Sequence, residues 1–260
     1  MILVLDVGNT NITIGIFDRG ELCCHWRLTS KIARTEDETW LLIKVLCDSE
    51  RIGISEIKGL ALGSVVPAVS TVIRRMVERR MRDVHFVEVS SKIDTGLTIL
   101  YENPAAVGAD RICNAVAGFQ KYGGPLVIVD FGTATTFDAV SEKAEYLGGI
   151  IAPGLESAVE SLHRAAAKLP AVDLKFPPTL IGQNTEASIQ SGLMYGGAEM
   201  VEGLIRRLKA ELGEHTKVIA TGGLASTLVR ELPSVDKVEP DLTLEGLYHI
   251  YLRNAGETSD

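Results

Sequence analysis

The chain has 260 residues, of which 46% are hydrophobic and 23% charged, and its formal net charge is −8. This length allows one large domain or two ordinary ones, and the composition is that of a globular protein with ample material for a core. The negative charge argues against nucleic acid or an anionic membrane as the main partner, although loop amides and helix N-termini can still bind an anionic ligand.

Residues 1–30 predict a strand, a polar hairpin turn and two further strands. A helix is predicted to begin after Thr35, because Glu38 follows it in capping-box spacing. Pro67 suits the first position of a second helix. The other elements predicted for the first half are strands at 57–66 and 84–89 and a helix at 108–122.

The second half begins with a strand at 126–131, a second polar turn and a strand at 136–140. Beyond them the sequence predicts helices at 154–167, 184–212 and 243–254, and a strand at 217–223 that runs into a Gly-Gly turn. Strands that alternate with helices indicate an α/β protein with a mostly parallel sheet between helical layers.

The stretches VLDVGNTNITIGIFD (4–18) and VIVDFGTATTFDAVS (127–141) share one pattern: a strand, a polar run and a returning strand. At an offset of 124 residues, Asp6 falls on Asp130 and Gly8 on Gly132. Glycine lets backbone N–H groups approach a phosphate, hydroxyl and amide side chains add donors, and a strand-end Asp can hold a cation. The repeat suggests two related halves that face one ligand. Two unrelated β-turns are the alternative, since these residue types are common in turns.

Other nucleotide-binding motifs are missing from the sequence. It contains neither GxxxxGK[ST] nor GxGxxG. The DFG at 130–132 lacks the HRD loop of protein kinases. Gly222 and Gly223 could let the chain pass close to a flat adenine, although a glycine between strand and helix is usually only a turn.

The GADR sequence at 108–111 suggests a catalytic carboxylate. Asp110 falls on the first turn of the helix predicted at 108–122, where the helix dipole favours a negative charge. The neighbouring Arg111 is a natural partner for a carboxylate or phosphoryl oxygen. A helix-capping acid beside a surface arginine is the alternative explanation of the same residues.

In chain order, the segments DVGNTNITIGIF, NPAAVGADR, DFGTATTFD, GGIIAPG, GQNTEASIQSG and ATGG resemble the motifs of type III pantothenate kinases. That family belongs to the actin-like ATPases, together with sugar kinases, actin and heat-shock chaperones. The resemblance implies an α/β fold of two related actin-like (ribonuclease-H-like) domains, with mixed sheets and a nucleotide cleft between them. The expected domains are residues 1–118 and 119–260, and the last helix, about 243–254, is free to pack back on the first domain.

The resemblance also implies ATP-dependent phosphorylation of pantothenate to 4'-phosphopantothenate, the first step of coenzyme A biosynthesis. Asp110 would be the general base that takes the proton from the primary hydroxyl of pantothenate. The residues implied for ATP binding are Asp6, Val7, Gly8, Asn9, Thr10, Asn11, Ile12, Thr13 and Thr133. Those implied for pantothenate binding are Tyr101, Gly108, Ala109, Asp110, Arg111 and Thr185.

Cations and a second chain complete the site that the resemblance implies. Mg²⁺ would come with ATP and contact Asp6 indirectly, and a monovalent cation, K⁺ or NH₄⁺, would lie at Asp130. A homodimer is implied whose substrate pocket is completed by the partner chain. From the residues alone, Tyr101 also suits a half-buried strand aromatic, and Thr185 a helix N-cap.

The expected location is the cytoplasm, with neither nucleic acid nor a membrane as partner. The four cysteines lack zinc spacing and are predicted to be free thiols in a reducing compartment. Two other functions stay open: a nucleotide-binding regulatory protein of the same fold without transfer activity, and a kinase for another small hydroxylated metabolite. An intact GADR argues against the first, because a protein that only binds would not need it.

Overall fold

The computed structural model describes residues 1–166 and 169–256. The chain divides into two compact units. The first contains Met1–Ala117 and the residues from Asp241 onward, and the second contains Gly118–Pro240. The chain passes into the second unit inside a helix and returns to the first for its last helix. The end of the range expected for the second domain, 119–260, therefore lies in the first unit.

The first unit is a mixed sheet with helices packed against it. Its elements in chain order are β1 (Ile2–Val7), β2 (Asn11–Asp18), β3 (Glu21–Thr29), α1 (Glu36–Ser49), β4 (Gly59–Ser64), α2 (Pro67–Arg80), β5 (His85–Glu88), the short β6 (Thr98–Ile99), α3 (Ala109–Tyr122) and, after the second unit, α7 (Leu242–Asn254). The sheet order is β3-β2-β1-β4-β5. Strand β1 pairs antiparallel with β2 and parallel with β4. The expectation of a mostly parallel sheet was wrong, because tight turns join β1, β2 and β3 as antiparallel neighbours.

Apolar side chains from strands and helices form the core of the first unit. Leu3 and Leu5 of β1 and Leu60 of β4 are at most 1% exposed, as are Ile43 of α1 and Ile73 of α2. Each such burial contributes about 1.5–3 kcal/mol relative to an exposed side chain. Strand β1 is thus firmly anchored, and the polar turn follows directly at its end.

Local signals set the starts of α1 and α2 as predicted. Oγ1 of Thr35 accepts the backbone N–H of Glu38 at 3.3 Å, and the Glu38 carboxylate accepts the N–H of Thr35 at 2.7 Å. Pro67 is the first residue of α2. The basic cluster at 74–82 lies mostly on the exposed face of α2, where Arg79 forms an ion pair with Glu36 of α1 at 2.6 Å.

The second unit repeats the strand arrangement of the first. Its elements are β7 (Leu126–Phe131), β8 (Ala134–Val140), β9 (Glu145–Pro153), α4 (Leu155–Ala165), α5 (Thr185–Leu212), β10 (Lys217–Thr221), α6 (Ala225–Leu228) and β11 (Lys237–Val238). Five of the six strands of the second sheet, in the order β9-β8-β7-β10-β11, match β3-β2-β1-β4-β5, with the same parallel and antiparallel pairings. This shared topology agrees with the two related halves inferred from the repeated turns.

Most boundaries in the second unit fall within two residues of the predicted ones. Strand β7 has the predicted bounds, β8 begins earlier than predicted, and β9 and β11 were not predicted as strands. Helix α4 ends at Ala165, and residue 167, its predicted end, lies outside the described residues. In the described part of the chain, no helix has the length and apolar character needed to cross a membrane. All four cysteines are free thiols, as predicted.

Candidate active site

The first polar turn connects β1 to β2 at the end of the core strand. The backbone N–H of Gly8 donates to the carbonyl of Asn11 at 2.9 Å, and Asp6 stands opposite Thr13 across the hairpin. Asn9 and Asn11 are exposed, so their amides are available to a ligand. Of the other predicted ATP-binding residues, Val7 and Ile12 place their side chains in the core, at 0% and 8% exposure. These two residues can therefore contact a ligand only through the backbone.

The second polar turn connects β7 to β8 and is one residue shorter. Here the N–H of Gly132 donates to the carbonyl of Ala134 at 3.1 Å, and Asp130 stands opposite Thr136. The offset of 124 residues therefore holds up to the glycine, but after it Thr13 corresponds to Thr136. Thr133 at the tip is exposed, as a ligand contact requires.

Both strand-end acids have neighbours across the sheet on each side. Asp6 lies between Thr13 and Gly63, whereas Asp130 lies between Thr136 and Thr221. Residues in register on neighbouring strands project from the same face of a sheet. Asp130 is thus flanked by two hydroxyl groups and Asp6 by one.

The start of α4 packs against the second turn. A Cβ atom at Gly154 would collide with the carbonyls of Gly132 and Thr133, so only glycine allows this approach. Ser157 adds a hydrogen bond from its Oγ to the carbonyl of Thr133 at 2.8 Å. The sequence analysis identified the GGIIAPG segment as a motif but did not predict a role for Ser157. In the sequence, this residue is marked only by its place in the first turn of the helix that follows Gly154.

Gly222 follows β10 and packs against the second turn. It adopts a φ of +91°, and a Cβ there would lie 2.5 Å from Oδ1 of Asp130 and 2.7 Å from the backbone of Phe131. Among residues 1–166 and 169–256, no atom that counts as a contact lies within 4 Å of the Cβ position of Gly223. Gly222 is therefore needed for the turn itself, and Gly223 leaves open space beside it, where a flat ring could lie.

The GADR sequence places Asp110 in the first turn of α3, where the helix dipole favours its charge. Oδ1 of Asp110 accepts the N–H of Arg111 at 2.8 Å. A Cβ at Gly108 would lie 2.4 Å from that same oxygen, so the carboxylate rests against the glycine. Ala109 and Arg111 are buried, at 6% and 8% exposure. The alternative of a surface arginine is therefore wrong, because Arg111 is held inside the protein.

Asp6 and Asp110 lie in one neighbourhood of the first unit. Burial raises the pKa of the Cys113 thiol well above its ordinary value, and the negative charges of Asp6 and then Asp110 raise it further. Both carboxylates thus act on one buried sulfur. The geometry agrees: Gly63 is in register with Asp6, and a Cβ at Gly63 would lie 3.7 Å from Cβ of Ala109 and 3.8 Å from Sγ of Cys113, so this corner of the first unit contains the end of β1 and the start of α3.

The two remaining predicted substrate residues belong to other segments of the chain. Tyr101 follows β6, is 37% exposed and belongs to no strand, so the interpretation as a strand aromatic was wrong. Thr185 is the first residue of α5, and the helix cap is its neighbour Asn184, whose Oδ1 accepts the N–H of Ala187 at 2.8 Å. Thr185 instead lines a cavity of about 680 Å³ between α4 and α5, together with Leu162.

The model of the type III pantothenate kinase family matches residues 2–207. This chain belongs to the type III pantothenate kinase family. A type III pantothenate kinase from Moorella thermoacetica is 50% identical over 254 residues, which cover 98% of this chain and 100% of the relative.

Solved structures with far lower identity share the fold of this type III pantothenate kinase family member. A conserved Baf family protein from Campylobacter jejuni, described as a transcriptional activator, has a TM-score of 0.60 at 17% identity and covers 97% of this chain and 98% of its own. A ROK hexokinase from Thermus thermophilus has a TM-score of 0.50 at 15% identity and covers 96% and 98%. At such identities the likeness shows the fold alone, which is the actin-like fold of sugar kinases.

Proposed function

We propose that the protein transfers the γ-phosphate of ATP to the primary hydroxyl of pantothenate and so forms 4'-phosphopantothenate, the first step of coenzyme A biosynthesis. Membership of the type III pantothenate kinase family supports this reaction. The observation that carries the assignment to residues is the placement of Asp110. Its carboxylate rests on Gly108 at a helix N-terminus, in the same corner as the turn that begins at Asp6.

Asp110 is the general base of the proposed reaction. The carboxylate takes the proton of the pantothenate hydroxyl while that oxygen forms a bond to the γ-phosphorus and the bond from phosphorus to the ADP oxygen breaks. Phosphoryl transfer asks a protein mainly for positioning and charge stabilisation. Arg111 lies next to the base and carries a positive charge that suits the transferred phosphoryl group or the pantothenate carboxylate.

ATP is bound in this proposal by the backbone and polar side chains of Asp6–Thr13 and by Thr133 of the second turn. The glycines Gly8 and Gly132 keep backbone N–H groups accessible to phosphate oxygens. Mg²⁺ bound with ATP would neutralise phosphate charge, and Asp6 would help to hold it indirectly. Among the residues that the structure describes, no three His, Cys, Asp or Glu side chains converge on a metal site. A cation that arrives with the nucleotide fits this arrangement.

Asp130 suits a monovalent cation, K⁺ or NH₄⁺. Its carboxylate is flanked by the hydroxyls of Thr136 and Thr221, whereas Asp6 has a hydroxyl on one side and Gly63 on the other. Oxygen atoms are the ligands that hard cations prefer. The second strand-end acid therefore fits a cation better than the first.

Pantothenate is bound, we propose, by Tyr101, by Gly108–Arg111 and by Thr185 in a cytoplasmic homodimer whose pocket is completed by the partner chain. The cavity beside Thr185 supports a binding role for the start of α5. Tyr101 is 37% exposed, so a ligand can reach its side chain.

An assay of ADP release tests the function against its two rivals. The purified protein is given ATP, Mg²⁺ and K⁺, first with pantothenate and then with other small hydroxylated metabolites. Pantothenate-dependent release of ADP supports the proposal. Release with another metabolite alone would identify a different kinase. ATP binding measured by calorimetry, without any release of ADP, would identify a nucleotide-binding regulatory protein.

A further inference from the structure

We propose that the last helix, α7, is a positioning element that holds Asp110 in place through contacts with the next turn of α3. The inference rests on the proposed function, in which Asp110 is the general base. Two contacts support this inference, a hydrogen bond and a packing contact between backbones. Both involve residues of α3 that lie about one helical turn after Asp110.

The polar contact joins Thr243 to Asn114. Oγ1 of Thr243 donates to Oδ1 of Asn114 at 2.7 Å, and Asn114 is 0% exposed. Asn114 follows Asp110 by four residues, so both lie on the same side of α3. Loss of a hydrogen bond to a fully buried amide is costly, because water does not readily replace the missing donor.

The packing contact joins the backbones of the two helices. A Cβ at Gly246 would overlap the backbone carbonyl of Cys113, the residue directly before Asn114. Helix α7 can therefore lie this close to α3 only with glycine at position 246. Two consecutive residues of α3 are thus fixed by α7, and a rigid helix transmits that constraint to its first turn.

The same helix also contacts β1, which leads into the proposed ATP-binding turn, and its neighbour β4. Helix α7 packs on β1 and β4, and Cδ2 of Leu247 would lie 3.0 Å from a Cβ at Gly63 of β4. The Cβ atom of Ala109, the residue before Asp110, would lie 3.7 Å from the same Cβ position at Gly63. Helix α7 therefore contacts both the strand that contains Asp6 and the helix that contains Asp110.

The decisive experiment compares Thr243→Val with Thr243→Ser in the full-length protein. Valine keeps the volume and removes the donor, whereas serine keeps the donor. A misplacement of a catalytic group by about 1 Å costs on the order of 10²-fold in rate. We expect Thr243→Val to shift the Asp110 carboxylate by less than this and to lower kcat by about tenfold. Thr243→Ser should keep a kcat near the native value. Calorimetric ATP stoichiometry corrects kcat for unfolded protein. Thr71→Val is the matched control, because Oγ1 of Thr71 bonds only within α2, to the carbonyl of Pro67 at 3.0 Å.

A double-mutant cycle separates positioning from general stabilisation. The residual transfer by Asp110→Asn, followed with γ-labelled ATP, should change by less than about twofold when Thr243→Val is added, because the base through which Thr243 acts is gone. Equal losses in both backgrounds, or a native kcat for Thr243→Val, would overturn the inference. Gly246→Ala gives a second test with a larger expected loss. If the native protein itself fails to phosphorylate pantothenate, the proposed function is wrong; if it is active and only the cycle fails, α7 has no positioning role.

Discussion

Replacing Gly108 by alanine tests the assignment of the general base with a single methyl group. Asp110 itself is left intact, so its charge and its chemistry are unchanged. The position of its carboxylate changes, because the new methyl would crowd the space where Oδ1 of Asp110 now lies.

The size of the effect follows from the geometry. The new Cβ would lie 2.4 Å from Oδ1 of Asp110 and 3.5 Å from Cγ1 of Val65, which is an ordinary contact. Since carbon and oxygen approach to about 3.3 Å, the carboxylate must retreat by about 1 Å. Such a displacement of a catalytic group costs on the order of 10²-fold in rate. We expect kcat for pantothenate to fall by that factor.

Folding should be nearly unaffected. The atom that must move is the end of a side chain, and Gly108 does not have a positive φ that only glycine tolerates. A substitution of this kind changes stability by about 1 kcal/mol or less through the unfolded chain. The loss should therefore appear in kcat, with ATP affinity and the melting temperature close to native.

A coupled ADP assay and ATP calorimetry, run on the native protein and on Gly108→Ala, measure both quantities. Gly203→Ala in α5 is the control, because nothing lies closer than 4.0 Å to a Cβ there. A native kcat for Gly108→Ala would refute the view that this carboxylate must sit where the structure has it. Loss of ATP affinity at unchanged kcat would place Asp110 in the nucleotide site instead.

Three further predictions concern the second unit. Turnover should be higher in K⁺ than in Na⁺ at equal ionic strength, and Asp130→Ala should abolish the difference; equal native rates would contradict a cation at Asp130. Gly222→Ala should weaken ATP binding in calorimetry, because its methyl would lie 2.5 Å from Oδ1 of Asp130; native affinity would contradict this. Partial burial raises the pKa of Glu239, but hydrogen bonds from Lys121 and Tyr122 outweigh it and leave the pKa below its ordinary value. The stabilisation by the ionised Glu239 carboxylate is therefore present above its pKa in the unfolded chain, and it is lost as the pH falls through its pKa in the folded protein. Glu239→Gln should therefore lower the melting temperature at pH 7, by an amount that shrinks below about pH 4; a loss independent of pH would show that the charge is irrelevant.

Local signals explain why much of the fold could be predicted from the sequence. The capping box at Thr35 and Glu38 and the proline at position 67 act within one helical turn, so they work before any tertiary contact exists. The repeated Asp and Gly of the two turns were equally visible, because they follow apolar strands.

Features that depend on distant contacts could not be read in the same way. The second turn is one residue shorter, and only the pairing of β7 with β8 shows that Thr136, rather than Phe137, corresponds to Thr13. The support from Ser157 depends on how α4 approaches the turn. The cap of α5 falls on Asn184 instead of Thr185, since both side chains can cap and one residue of register decides between them.

The return of the chain to the first unit has a consequence for protein synthesis. The nascent N-terminal unit lacks its last helix while the 123 residues from Gly118 to Pro240 are being added. At about 5–20 residues per second, translation of that insert takes roughly 6–25 s. During this interval the α3 surface around Cys113, which α7 later covers, is exposed to solvent and to chaperones. A ribosome that stalls inside the insert therefore leaves a chain in which the turn after β1 is complete but α3 lacks its contacts with α7.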